Sequence, residues 1–420
     1  MRHVSSKKER DKAVIMAVVR RFGPLSRVDV HELTQFRPSG ISLLVRELLE
    51  EGKLREAGPS NNPLGRKQTL LTINEGFGFV VGVEWDVDTL MAASLDLRPQ
   101  IIALVTEPTN LTQGAEGLIR QLLSCTRKAI EQASSTGQIP LGIAVADPGL
   151  VDSEKGVTIT SSQMEFWNNI PLQKIFEEEF GVPFLLESNT RAITIAERML
   201  GAGEKTDDMV YIDYRTGLGA GVVAGGSILR GSGESAGEFG HTHVIENGPA
   251  CKCGSFGCLE AMTSAAALAN KARKGVLEGG TSEVLSIAGK PESITGAHVL
   301  EAARRGDRMC SSVVEDMGNH LGLGIANLVN LFNPSVVVFG GLLGLAGKSL
   351  LEQIFRIVKR QALPHATENL QFRFAKLGPQ AGVLGAGLLV LEKLFEIPAL
   401  KPPKFLVSAA ERRRAPIERL

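Results

Sequence analysis

Three of the chain's five cysteines fall close together, as Cys251, Cys253 and Cys258 in the run ACKCGSFGC. The glycines at 254 and 257 let the backbone turn tightly enough for the three sulfurs to converge. His241 stands ten residues before the first of them and can supply a nitrogen. Cys3His is a ligand set that closes a tetrahedron around zinc. A disulfide is disfavoured because nothing else in the chain has secreted character. The remaining alternative is a reduced, metal-free turn, and the spacing favours a structural Zn2+ site.

The same stretch carries a longer pattern, E-x-G-H followed by C-x-C-G-x-x-G-C-x-E, running from Glu238 through His241 to Glu260. This pattern resembles the ROK family of sugar kinases, open reading frames and sugar-responsive repressors. The resemblance implies that Glu238, His241 and Glu260 face a bound sugar, with His241 shared between sugar and metal. A carboxylate suits that task because it accepts two hydroxyl hydrogen bonds from one sugar face.

The 420 residues are enough for two or three domains with sizeable cores. Basic and acidic residues balance at 46 each, but unevenly along the chain. Residues 1–70 hold 14 Lys and Arg against 8 Asp and Glu, so a basic amino-terminal module precedes an acidic body. That asymmetry points to nucleic acid at one end. No apolar run is long and uncharged enough to span a bilayer, and no signal peptide is visible, so a cytoplasmic location and no membrane partner are expected. Cys125 and Cys310 sit in helical patterns and read as inert core thiols.

Helical spacing runs from Lys8 to Arg21 and stops at Gly23-Pro24. Ser26 and Asp29 fit a capping box for a second helix. A third starts at Pro38 and closes at Gly52, burying Ile41, Leu44, Val45, Leu48 and Leu49. Leu54–Glu56 and Gln68–Ile73 read as strands around a loop from Ala57 to Lys67. Three helices and a basic hairpin make a winged helix-turn-helix over residues 1–75. Its third helix would offer Arg37, Ser39 and Ser42 to base edges, with Arg46 one turn further on. Arg66 and Lys67 in the wing would reach a minor groove or phosphates. The alternative is a small helical interaction domain whose charges form a solvated face.

Beyond Asn74 short apolar strands alternate with helices: Phe79–Glu84, Thr89–Asp96, Ile102–Val105, a helix over 114–135 and a strand over 140–146. The fold class is α/β. The resemblance implies a two-lobed, actin-like (ribonuclease H-like) ROK body over residues 76–397, with ligand in the cleft and a C-terminal helix returning to the first lobe. The run from Asp147 to Asp152 resembles the family's turn after the central strand. Ser162–Leu172 resembles the sugar-loop stretch, with Gln163 where a ligand-contacting Asn is usual. The glycine runs at 216–221, 339–341 and 382–386 resemble nucleotide-side loops. Residues 398–420, with Arg412 to Arg414, read as a mobile basic tail.

The same resemblance shows where phosphoryl transfer fails. The family's phosphate cradle, D-x-G-G-T, is matched by Glu84-Trp85-Asp86-Val87-Asp88. Both glycines are gone, and two added carboxylates would repel a polyphosphate. The family's E-N-D-A segment reads Glu187-Ser188-Asn189-Thr190, so the catalytic aspartate is Asn189. Losing general-base help costs ~10²–10⁴ in rate. Ser188, Asn189 and Gln163 occupy sugar-contacting positions with altered chemistry, which leaves the ligand open among free sugar, amino sugar, sugar phosphate and none at all. The chain therefore reads as a sugar-responsive transcriptional regulator, a repressor of carbohydrate genes without enzymatic activity. It would bind a pseudo-palindromic operator DNA as a homodimer or homotetramer. The alternatives are a sugar kinase with a fused DNA-binding domain and a ligand-independent regulator controlled by a protein partner.

Overall fold

A computed structural model describes residues 7–60, 68–134, 137–161, 164–215 and 217–395. Arg66, Lys67, Gln163 and the segment 398–420 lie outside the described residues. The amino-terminal module holds α1 (Lys7–Phe22), β1 (Leu25–Ser26), α2 (Arg27–Thr34), α3 (Pro38–Glu50), β2 (Leu54–Pro59) and β3 (Thr69–Ile73). Ser26 and Asp29 form the capping box at the start of α2, each side chain bonded to the other's backbone N–H. β2 is longer than the expected Leu54–Glu56, because it passes a bulge and pairs again at Pro59–Thr69, while β3 starts one residue later than expected. β1 adds a third, two-residue strand alongside β3.

The first lobe holds β4 (Phe79–Trp85), β5 (Thr89–Leu95), β6 (Ile101–Pro108), α4 (Gly114–Ser134), β7 (Pro140–Asp147), β8 (Leu150–Asp152), β9 (Val157–Thr160), α5 (Leu172–Phe180), β10 (Phe184–Ser188) and α6 (Asn189–Leu200). Its sheet runs β10-β7-β4-β5-β6. Every residue of β4 is buried, so the strand is covered on both faces. Side chains alternate with period two. Phe79, Val81, Val83 and Trp85 enter the core shared with α4, and Val80 enters the opposite core. Glu84 lies on that second face.

The second lobe holds β11 (Met209–Tyr214), β12 (Leu218–Ala224), β13 (Ser227–Ile228), α7 (Leu259–Thr263), α8 (Ala265–Leu277), α9 (Val284–Ala288), α10 (Gly296–Arg304), α11 (Arg308–Phe332), β14 (Val336–Phe339), α12 (Gly347–Gln361), α13 (Pro364–Thr367) and β15 (Gln371–Phe374). The sheet order is β13-β12-β11-β14-β15. Cys125 and Cys310 are buried in the cores of the two lobes, where burial pushes their thiols up to about 12 and about 11. No helix among the described residues is long and apolar enough to cross a membrane.

The chain then returns to the first lobe as α14 (Ala381–Leu394), packed on β4, β7 and α6. The run Gly382–Ala386, expected as a loop, is the first part of this helix. Its small residues permit close approach. A Cβ on Gly82 would stand 2.0 Å from the Val383 carbonyl oxygen, so β4 and α14 touch backbone to backbone. At the far end of α14, Arg20 of α1 donates from Nη1 to the Leu391 carbonyl and to Glu392, both at 3.3 Å. Its guanidinium also sits 4.7 Å from the Phe395 ring centroid. A cation at a helix C-terminus answers the unpaired carbonyls and the macrodipole there.

Candidate functional site

The candidate metal ligands lie on a loop held by the second lobe. Phe239 and Leu259 anchor its two ends in that lobe's core. Leu259 N donates to the Thr242 carbonyl (2.9 Å) and Val244 N to that of Gly257 (3.1 Å), which brings His241 beside the cysteines. Gly257 turns at φ +70, where a Cβ would meet the Ile245 carbonyl oxygen at 2.1 Å. One ligand atom from each of His241, Cys251, Cys253 and Cys258 lies within 4.8 Å of the others. The Cys253–Cys258 sulfur separation is 3.7 Å, and Cys251 Sγ stands 3.7 Å from His241 Nδ1. A tetrahedron with metal–sulfur bonds of about 2.3 Å has edges of about 3.8 Å, so these positions fit a bound ion. Burial pushes the Cys258 thiol up to about 12, which makes a central cation the natural means of deprotonating it. The other ring nitrogen, Nε2, faces the Glu238 carboxylate at 3.8 Å.

That second nitrogen opens on a cleft of about 320 Å³ between the lobes. Ser188, Asn189, Glu238, His241 and Glu260 all line it, so five expected sugar-site residues converge. Glu260 accepts the Leu218 N–H at 2.9 Å through Oε2. Asn189 is buried at the start of α6 and donates from Nδ2 to the Trp85 carbonyl at 2.8 Å. Its Oδ1 has no partner among the described residues.

Sequence reasoning missed the ionic core of this cleft. Arg215, just past β11, donates to Asp213 from Nε at 3.1 Å and from Nη2 at 3.0 Å. From Nη1 it crosses to the first lobe, reaching Glu84 at 3.1 Å and Asp86 at 3.5 Å. Thus the residues at the expected cradle position hold a guanidinium of the chain itself. Asp86 also closes the β4–β5 turn, since its Oδ1 accepts the N–H groups of Asp88 and Thr89, each at 2.9 Å. A second network joins Glu187 to Arg191 and Arg230, and Arg191 to Glu234. Asp147, the turn residue after β7, is buried and accepts from Trp167 Nε1 at 2.8 Å. Burial pushes its carboxyl up, opposed by that bond.

Burial also pushes Glu84 up to about 7, with Arg215 opposing and Asp86 and Asp213 adding repulsion. The folded state holds this proton longer than the unfolded chain does. Its stabilising contribution is therefore full below about pH 4 and is lost as the pH rises through about 7. From 4.5 to about 7 the shift is worth on the order of 3 kcal/mol. The wild type should lose about that much stability relative to Glu84→Gln between acid and mildly alkaline pH, read by urea unfolding. Parallel pH profiles for the two proteins would contradict it.

Residues 80–393 match the model of the ROK family, and the chain belongs to that family. It is 28% identical over 391 residues to the xylose repressor of Caldicellulosiruptor bescii, covering 93% of this chain and 98% of that one. It is 33% identical over 314 residues to a glucokinase of Halalkalibacterium halodurans, covering 74% of this chain and 95% of that one. Among solved structures, a ROK family transcriptional regulator described as a homolog of the E. coli MLC protein superposes with a TM-score of 0.81. That likeness is at 25% identity and covers 96% of this chain and 99% of the other. The repressor and regulator likenesses span the amino-terminal module as well as the body, and the kinase likeness has the length of the body alone.

Proposed function

We propose that this protein is a sugar-responsive transcriptional repressor that binds DNA through its amino-terminal module and does not phosphorylate its ligand. The observation that carries the reading is the placement of α14. Its N-terminal turn lies against Glu84, the buried partner of the cleft residue Arg215, and a Cβ on Gly382 would stand 2.0 Å from the Glu84 carboxyl carbon. Its C-terminal turn lies under α1 of the DNA-binding module, held by Arg20. A helix of 14 residues, about 21 Å long, thus links the ligand cleft to the reading head. A ligand that favours one lobe arrangement biases the position of this helix and, in a homodimer or homotetramer, the spacing of two reading heads. The cleft supplies hydroxyl acceptors through Glu238 and Glu260. Zn2+ held by His241, Cys251, Cys253 and Cys258 fixes the imidazole, so that Nε2 points at the sugar.

The reading head is a winged helix-turn-helix. Ser39, Ser42 and Arg46 are exposed on one face of α3, together with Leu43, and Arg37 is exposed at its N-cap. No side chain caps the start of α3, which leaves its first N–H groups open to a DNA phosphate. Duplexes selected from a random library by the full chain should be pseudo-palindromic, with half-sites one or two helical turns apart. Replacing Arg37 and Arg46 together by alanine should weaken that binding at least about tenfold and flatten its salt dependence. A double variant that binds the selected duplex as the wild type does would overturn this assignment of the reading face.

A further inference from the structure

We propose that the cleft selects an unphosphorylated sugar, neutral or amine-bearing, and rejects sugar phosphates. The proposal rests on the sugar-binding reading above and specifies its ligand class. Six carboxylates line the cleft, those of Asp86, Asp147, Asp213, Glu234, Glu238 and Glu260. Against them stand two guanidiniums, Arg191 and Arg215, and no lysine among the described lining residues.

Neither guanidinium is free. Arg215 donates to Asp213, Glu84 and Asp86, with every contact at 3.5 Å or less. Arg191 donates from Nε to Glu187 at 2.5 Å, from Nη1 to the Glu234 carbonyl at 2.6 Å and from Nη2 to the Glu234 carboxylate at 3.1 Å. Arg230, the nearest further cation, is turned to Glu187 at 2.7 Å. One other element could favour an anion, the N-terminus of α6. The Glu187 carboxylate, which accepts the N–H of the N-cap residue Ser188 at 3.0 Å, sets a negative charge beside that terminus. A phosphate would bring about two negative charges into this surround and find every charged donor engaged. Sugar hydroxyls, by contrast, can donate to the carboxylates, and an ammonium gains attraction as well.

The test titrates the full chain with glucose, glucosamine, N-acetylglucosamine and xylose, and with the 6-phosphates of the three hexoses. Calorimetry gives the affinities. The two tryptophans, Trp85 and Trp167, give an optical check because they lie edge to face at 4.9 Å beside Asp147 and Asn189. At least one unphosphorylated sugar should bind, with its 6-phosphate at least about tenfold weaker where it has one. The residual phosphate binding should strengthen as salt is raised, because salt screens the repulsion. Replacing Asp86 and Asp213 together by asparagine removes two cleft carboxylates and leaves Arg215 with Glu84 as its one anionic partner, so the phosphate-to-parent affinity ratio should rise at least about tenfold. A 6-phosphate that binds as tightly as its parent, or more weakly as salt is raised, overturns the proposal and leaves the sugar reading standing. Failure of the whole panel to bind overturns the sugar reading itself, and this proposal with it. The salt response of the wild type decides the matter if the double variant does not fold.

Discussion

Incubated with ATP and glucose, this protein should transfer no phosphate above background, and its Asn189→Asp variant should transfer none either. General-base loss alone would leave a kinase slowed by ~10²–10⁴, and restoring the carboxylate would recover it. Here the phosphate cradle is lost as well. Asp86 is built into the β4–β5 turn through two backbone N–H groups, and together with Glu84 and Asp213 it holds Arg215 across the cleft. Phosphates entering there would have to displace an interlobe ion cluster. Nor is position 189 neutral toward the change. Asn189 Nδ2 donates to the Trp85 carbonyl at 2.8 Å, and a carboxylate cannot donate, so the variant sets two acceptors against each other in a buried place. It should lose about 1–3 kcal/mol of stability, read by urea unfolding. Turnover in the wild type or in the variant would contradict the account of the cleft.

Cys253→Ser should lose its metal and much of its sugar affinity together, although Cys253 does not line the cleft. A structural ion contributes its binding free energy to the fold of the loop that holds it. Without it, the turn from Cys251 to Cys258 relies on a few backbone bonds, such as Cys251 N to the Ser255 carbonyl at 2.8 Å. His241 then loses the bond that fixes its ring, with Nδ1 toward the thiols and Nε2 toward Glu238. Losing an orienting partner of this kind costs ~10–100-fold in affinity at comparable sites. Elemental analysis should give one zinc per wild-type chain and a small fraction of that in the variant. Glu260→Gln, which lies in the cleft and outside the ligand set, should keep its zinc and bind sugar more weakly. If Cys253→Ser lost its metal yet bound sugar like the wild type, the coupling through His241 would be wrong.

What the sequence made legible was local. The four candidate metal ligands lie on one glycine-turned loop, so spacing alone was enough to group them. The capping box at Ser26 and the stop at Gly52 set the helices of the amino-terminal module, since caps act over a few residues. The strand Phe79–Trp85 was clear because burial on both faces makes an unbroken apolar run up to Glu84. The ionic core of the cleft was hidden for the opposite reason. Arg215 and Glu84 are 131 residues apart, and each taken singly reads as an ordinary charge at a strand end. The run Gly382–Ala386 misled because glycines that mark a loop also mark a helix in close contact. Here they let α14 lie against Glu84 and β4. The two-residue strand Leu25–Ser26 is too short to show any period, and only its pairing with β3 defines it.

The central claim, that a sugar in the cleft controls the DNA-binding module, is tested most directly in one gel-shift titration. A duplex selected by the full chain is titrated with the protein, alone and with each sugar that binds by calorimetry. The account predicts that at least one of those sugars changes the DNA affinity about tenfold or more, through α14 and its contact with Arg20. DNA affinity unchanged by every sugar that fills the cleft would contradict it.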